Sequence, residues 1–183
     1  MMKSVLISIQ PKWCELIANG KKTVEVRKTK PKLETPFKVY IYCTKGETVY
    51  LPRDMFGNHP LNGKVIGEFV CKKIEEYYAD DYAYGTYDIS DDEVIKTCLV
   101  NGSLWDYGKG QNLYGWHISD LVIYDKPREL NRFQKPCIRD YCDCAGCENA
   151  YFTHNYGFEG CALEEGLTRP PQSWCYVESE GGK

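Results

Sequence analysis

Three charged side chains within six residues, Lys22, Glu25 and Arg27 of the stretch NGKKTVEVRK (residues 19–28), offer this sequence its most concentrated chemistry. In an extended strand residues two apart share a face, so Glu25 and Arg27 stand about 7 Å apart with Lys22 at the strand's start. Lys22 and Arg27 can hold phosphate or base acceptors, and Glu25 can accept from an exocyclic amino group such as that of cytosine or adenine. A structural salt bridge of Glu25 with either cation is the competing reading. Trp13, Tyr114, Trp116 and Trp174 are candidates to stack an unpaired base, against the alternative of core packing. His59, His117 and His154 are isolated in sequence and read as surface or core residues.

A second set is sulfur. Of ten cysteines, Cys14, Cys43, Cys71, Cys98 and Cys175 lie singly in helical or strand-like stretches, where a small buried thiol is the default. The other five crowd between 137 and 161. Cys144-Ala-Gly-Cys147 is a C-x-x-C knuckle, and Cys137 and Cys161 complete a four-thiolate zinc set in which Cys142 can replace Cys144. Four thiolates leave no open position, so the zinc would be structural. With little apolar content between 134 and 166, the segment needs such a staple; a disordered reduced loop and disulfides formed on oxidation are the alternatives.

The totals frame both sets. At 183 residues, 43% hydrophobic and 27% charged, the chain suits one domain, or one domain with an insertion. No apolar run approaches the roughly 20 residues of a membrane helix, and the N-terminus reads as a first strand rather than a secretory leader. A cytoplasmic protein with no membrane partner is expected. Net charge is −3, yet residues 1–75 carry 14 Lys and Arg against 7 Asp and Glu, the remainder 9 against 19. A basic face able to meet phosphate follows, unless folding mixes the two halves.

The elements that must position these groups are short. KSVLISI (3–9) reads as a buried strand, and Pro11 opens a helix to about residue 19 with Trp13, Leu16 and Ile17 on one side. Strands are expected at 22–28, 37–43 and 64–74, the last with a bulge or bend at Gly67. Residues 44–62 read as a loop with a turn at Phe56-Gly-Asn58, and Tyr77 to Asp88 as a polar connection. Ser90 caps a helix carrying Val94, Ile95 and Cys98 inward as far as Asn101-Gly102. Leu104 to Tyr114 is turn-rich, and Gly115 to Tyr124 and Ser173 to Glu178 are further strands. About six short strands with two or more short helices, in no regular alternation, predict an α+β fold built on a small mixed β-barrel.

Order and residues together resemble the ASCH family, a PUA-like group, in the form found in prophages and bacterial genomes. The resemblance rests on Ser8-Ile-Gln10-Pro-Lys12-Trp13, on Gly20, Lys22, Glu25 and Arg27, on Gly67-Glu68, on Trp116-His-Ile118 and on Pro171-Gln-Ser173-Trp174. It covers 1–130 and 168–179, leaving 131–167 as a cysteine-rich insertion. It implies a PUA-like barrel with a cleft beside the first helix, binding RNA or a modified nucleoside through Ser8, Gln10, Lys12, Trp13, Lys22, Glu25, Arg27, Trp116, Ser173 and Trp174. Enzymatic readings come with it, using Lys22, Glu25 and Arg27: a ribonuclease first, then an amidohydrolase deacetylating acetylcytidine. The second requires a Thr nucleophile where this chain has Glu25, and Thr23 lies roughly 6 to 7 Å from that place. A protein-interaction adaptor built on the insertion is a third class.

Overall fold

A computed structural model describes residues 3–46, 62–80, 84–136, 150–153, 157–161 and 166–178. Among them run β1 (Lys3–Ile9), α1 (Pro11–Ala18), β2 (Val24–Arg27), β3 (Phe37–Cys43), β4 (Lys64–Ala79), β5 (Tyr87–Asp88), α2 (Asp91–Thr97), α3 (Asn101–Gly108), β6 (Leu113–Arg128), a 3-10 turn (Leu130–Arg132), β7 (Ala150–Thr153), β8 (Gly157–Cys161) and β9 (Trp174–Glu178). The main sheet has seven strands in the order β2-β6-β4-β3-β1-β9, with β5 paired to β4; β7 and β8 form a separate hairpin. Within it β1 and β3 run parallel and every other pairing is antiparallel.

The two ends of this order, β2 and β9, carry no mutual ladder. Side chains instead tie β2 and the loop after it to β1 and β9. Trp174 Nε1 donates to Thr29 Oγ1 at 2.9 Å, the Tyr176 hydroxyl accepts from the Lys32 amide at 2.7 Å, and Arg27 donates to the Ser8 carbonyl at 2.5 Å. The sheet thus curls into a barrel whose seam is sewn by polar side chains.

β1 is buried from Ser4 to Ile9 because both its faces are covered. Val5, Ile7 and Ile9 enter the barrel core with Cys14 and Ile17 of α1, Val39, Ile41, Phe69 and Trp116. Leu6 points the other way, into a cluster with Tyr40, Val65, Phe133 and Val177. Phe133 belongs to the segment entering 131–167, and that segment's flanks are tied back: the Leu167 amide donates to Phe133 O and the Glu178 amide to Gln134 O.

Helix ends follow their sequence signals. Pro11 occupies the first turn of α1, and Gly20 (φ +69°) ends it, with the Gly20 amide bonded to Ile17 O and the Lys21 amide to Leu16 O, a Schellman motif. The Ser90 hydroxyl accepts from the Glu93 amide to cap α2.

Four expectations need correction. The described residues hold nine strands rather than about six. β4 continues through Tyr77 to Ala79, because Tyr77 is buried and hydrogen-bonded to Glu93, so the supposed polar connection is partly sheet. α2 stops at Cys98 in the left-handed region and buries Glu93 and Thr97, while Ile95 is 73% exposed. The stretch after it, read as turn-rich, begins within α3 and ends within β6, with turn only between them. The loop turn at Phe56-Gly-Asn58 lies outside the described residues, as do His59 and His154.

Gly67 does mark an irregularity, with register shifts on both partners of β4 close by. A Cβ there would stand 2.4 Å from the Val122 carbonyl oxygen, a backbone atom that cannot step aside. Gly67→Ala is expected to cost about 1–3 kcal/mol of stability in urea unfolding; an unchanged midpoint would show that β4 and β6 do not approach this closely.

Candidate functional site

Because the Schellman turn ends α1 two residues before it, Lys22 is delivered straight to the start of β2, and pairing with β6 (Glu25 opposite Trp116, Arg27 opposite Tyr114) fixes the other two charges. All three are buried: Lys22 2%, Glu25 6% and Arg27 8% exposed. Glu25 holds both cations, with Lys22 Nζ 3.4 Å from one oxygen and Arg27 3.1 Å from the other. Each cation has a second, backbone partner across the barrel. Lys22 donates to Thr97 O at 2.6 Å and Arg27 to Ser8 O at 2.5 Å. The salt bridge expected from sequence and the shared cleft are therefore one and the same arrangement.

Above this trio opens a pocket of about 440 Å³. Ser8, Gln10, Lys12 and Trp13 line one side, Lys22, Glu25, Val26 and Arg27 the floor, and Cys98, Leu99, Val100, Ser103 and Tyr107 the far side. The Trp13 ring lies between two ammonium groups, Lys12 at 4.4 Å and Lys22 at 5.2 Å from its centroid. At the rim, Lys28 sits 5.1 Å over the Tyr107 ring. Burial raises the Tyr107 phenol above its ordinary pKa, with the Arg27 guanidinium opposing the rise. Beneath the floor, burial pushes the Cys14 thiol well up, helped by Cys43 and Glu25, so it is a neutral core group.

Seven of the expected binding residues thus converge: Ser8, Gln10, Lys12, Trp13, Lys22, Glu25 and Arg27. Three do not line the pocket. Trp116 has no exposed surface and packs on Phe37 and Trp174 inside the core, so it cannot stack a base. Trp174 and Ser173 belong to the seam, the first bonded to Thr29 and packed on Tyr176, the second accepting the Ser8 amide through its carbonyl. The far wall, from α2 and α3, was not expected. Its one legible signal was the Ser90 cap, which starts the helix whose C-terminal end borders the pocket. Of the expected zinc ligands, Cys137, Cys144 and Cys147, with the spare Cys142, lie outside the described residues, and Cys161 falls in β8.

Sequence comparison matches residues 7–96 to the ASCH domain. The chain carries an ASCH domain. Among solved structures, this fold is similar to ASCH from Zymomonas mobilis, at 19% identity over 97% of this chain and 89% of that one, with a TM-score of 0.54. It is likewise similar to a serine-to-alanine mutant of the Zymomonas protein, at 17% identity over 96% and 88%, with a TM-score of 0.53. At such identities the likeness is one of fold. No curated protein matches the sequence. The likeness bears out the α+β fold, and the trio lies within the residues matched to the ASCH domain.

In this ASCH domain, removing Glu25 would leave two buried cations facing each other. Glu25→Ala is expected to lose about 3–5 kcal/mol in chemical denaturation, the usual cost of stripping one partner from a buried pair. A loss below about 1 kcal/mol would mean that water already screens the trio.

Proposed function

We propose that this ASCH domain binds RNA by taking one unpaired nucleotide, or binds a free modified nucleoside, in the pocket over Lys22, Glu25 and Arg27. The observation that carries this reading is the buried trio, two cations and one carboxylate at the floor of a pocket of about 440 Å³. That volume falls in the range of roughly 300–1,000 Å³ typical of small-ligand sites, suited to a base and sugar rather than to a duplex. Arg27 Nε is buried without a hydrogen-bond partner. An orphaned buried donor costs about 1–3 kcal/mol, which an acceptor on the ligand would recover. Lys12 at the wall and Lys28 at the rim supply charge for the adjoining phosphates.

Two features favour a reader over a nuclease. Both Glu25 oxygens already face a cation, leaving neither free to take a proton from a ribose hydroxyl. Among the described residues, no histidine lines the pocket. The amidohydrolase reading lacks the Thr nucleophile it requires, since Glu25 stands at that position and Thr23 is not among the lining residues.

The test is single-stranded RNA incubated with the protein and with Lys12→Ala, scoring retention and cleavage on one gel across salt concentrations. Intact RNA is expected to be retained, with a log-affinity against log-salt slope shallower by about 0.7 in Lys12→Ala, the value of one lost phosphate contact on a single strand. RNA cut by the wild type but not by Glu25→Gln would replace the reader with a nuclease. Bound ligand should also slow alkylation of Cys98, which lines the pocket, when read by peptide mass spectrometry; an unchanged Cys98 rate on saturation would place the ligand elsewhere.

A further inference from the structure

Outside the pocket, on the opposite flank of α2, three side chains from three elements converge. Glu75 stands on β4, Glu93 in the first turn of α2 and His117 on β6, with one ligand atom from each within 4.8 Å of the others. His117 Nε2 lies 2.9 Å from Glu93 Oε1 and 3.4 Å from Glu75 Oε2. That nitrogen is buried and, although two carboxylates face it, makes no well-formed hydrogen bond. The placement suits a different partner. At bond lengths of about 2.1 Å, neighbouring ligands stand about 3 Å apart around an octahedral ion and about 3.4 Å apart around a tetrahedral one, and this nitrogen lies 2.9 Å and 3.4 Å from its two oxygens.

The geometry points to a divalent-cation site formed by Glu75, Glu93 and His117. One imidazole and two carboxylates suit a first-row divalent ion such as Mn²⁺ or Zn²⁺, and three protein ligands leave positions for water. Tyr77 supplies the outer support: its hydroxyl donates to Glu93 Oε1 at 2.9 Å and holds that oxygen in place. Two lysines neutralise the carboxylates in the absence of an ion. Lys73 lies 2.6 Å from Glu75 Oε2, and Lys96 lies 3.5 Å from Glu93 Oε2 while also holding Asp92. Their side chains are 59% and 39% exposed, so both can swing into solvent when a metal takes their place. The ion would tie α2 to the sheet. Since α2 ends in the Thr97 carbonyl that receives Lys22, and Leu99 and Val100 follow it along the pocket, the site would brace the pocket's far wall.

Mn²⁺ is the probe of choice because thiolates favour zinc and copper, so the cysteine-rich segment does not compete for it. Free Mn²⁺, measured by electron paramagnetic resonance on the full chain, is expected to show one saturable site per chain. Affinity should fall at least tenfold in Glu75→Gln and in His117→Ala, and stay unchanged in Cys144→Ser. It should rise in Lys73→Gln, which removes a competing cation; a cluster that served only as a salt-bridge network would give no such gain. Glu75 is 39% exposed, so Glu75→Gln spares the fold even where His117→Ala does not. Absence of saturable binding at millimolar Mn²⁺, or equal affinity in wild type and Glu75→Gln, would overturn the site. Equal or weaker binding by Lys73→Gln would overturn it as well.

Discussion

One carboxylate holds the pocket end of this structure together. Glu25 balances Lys22 and Arg27 where all three are nearly sealed from water, and each cation also donates to a backbone carbonyl, Arg27 to Ser8 and Lys22 to Thr97. A buried ion pair is a poor source of net stability but is costly to leave half-made. Its value here is positional: through it β2 is fixed to the end of β1 on one side and to the C-terminus of α2 on the other. The pocket is the space these attachments leave between α1 and the α2–α3 wall.

That space exists because the sheet does not close by backbone pairing. A ladder between β2 and β9 would satisfy the edges with amides and carbonyls and leave no room for charged side chains. The seam instead uses Arg27, Trp174, Thr29 and Tyr176, so the barrel is complete enough to exclude water from its core yet open at the point where Lys22, Glu25 and Arg27 gather. The charge split along the sequence is partly dissolved by folding, as Lys30 pairs with Glu76, Lys64 with Glu129 and Lys72 with Asp120. What survives locally is the pair of cations at the pocket's edge, Lys12 and Lys28.

The floor was legible in sequence because its charged members lie within six residues, Glu25 and Arg27 at the period of a strand and Lys22 just before it; Gly20 and Pro11 set the ends of the helix before it through local backbone chemistry. The α+β class and the resemblance to ASCH were legible for the same reason, resting on short contiguous motifs. The far wall was not. It comes from residues some 75 positions away, and Gly102, Gly108 and Gly110 disguise α3 as turn. Trp116 misled because β6 is buried on the face that carries it, and a buried strand shows no alternation to tell core from cleft. Ile95 misled because α2 is too short for its period to settle which face is inward. The meeting of Glu75, Glu93 and His117 is wholly tertiary, with no spacing in the sequence to announce it.

In the proposed binding mode the ligand enters beside Trp13, over Glu25. The four tryptophans, at positions 13, 105, 116 and 174, report on different places: the pocket, the outer face of α3 against Tyr84 and Tyr87, the core, and the seam. Titrating nucleoside monophosphates while following the four indole N–H resonances by two-dimensional nuclear magnetic resonance distinguishes them directly. A saturable shift dominated by Trp13, with the signals of Trp105, Trp116 and Trp174 nearly still, is the predicted result. A shift concentrated at Trp105 or Trp174 while Trp13 stays in place would contradict the account.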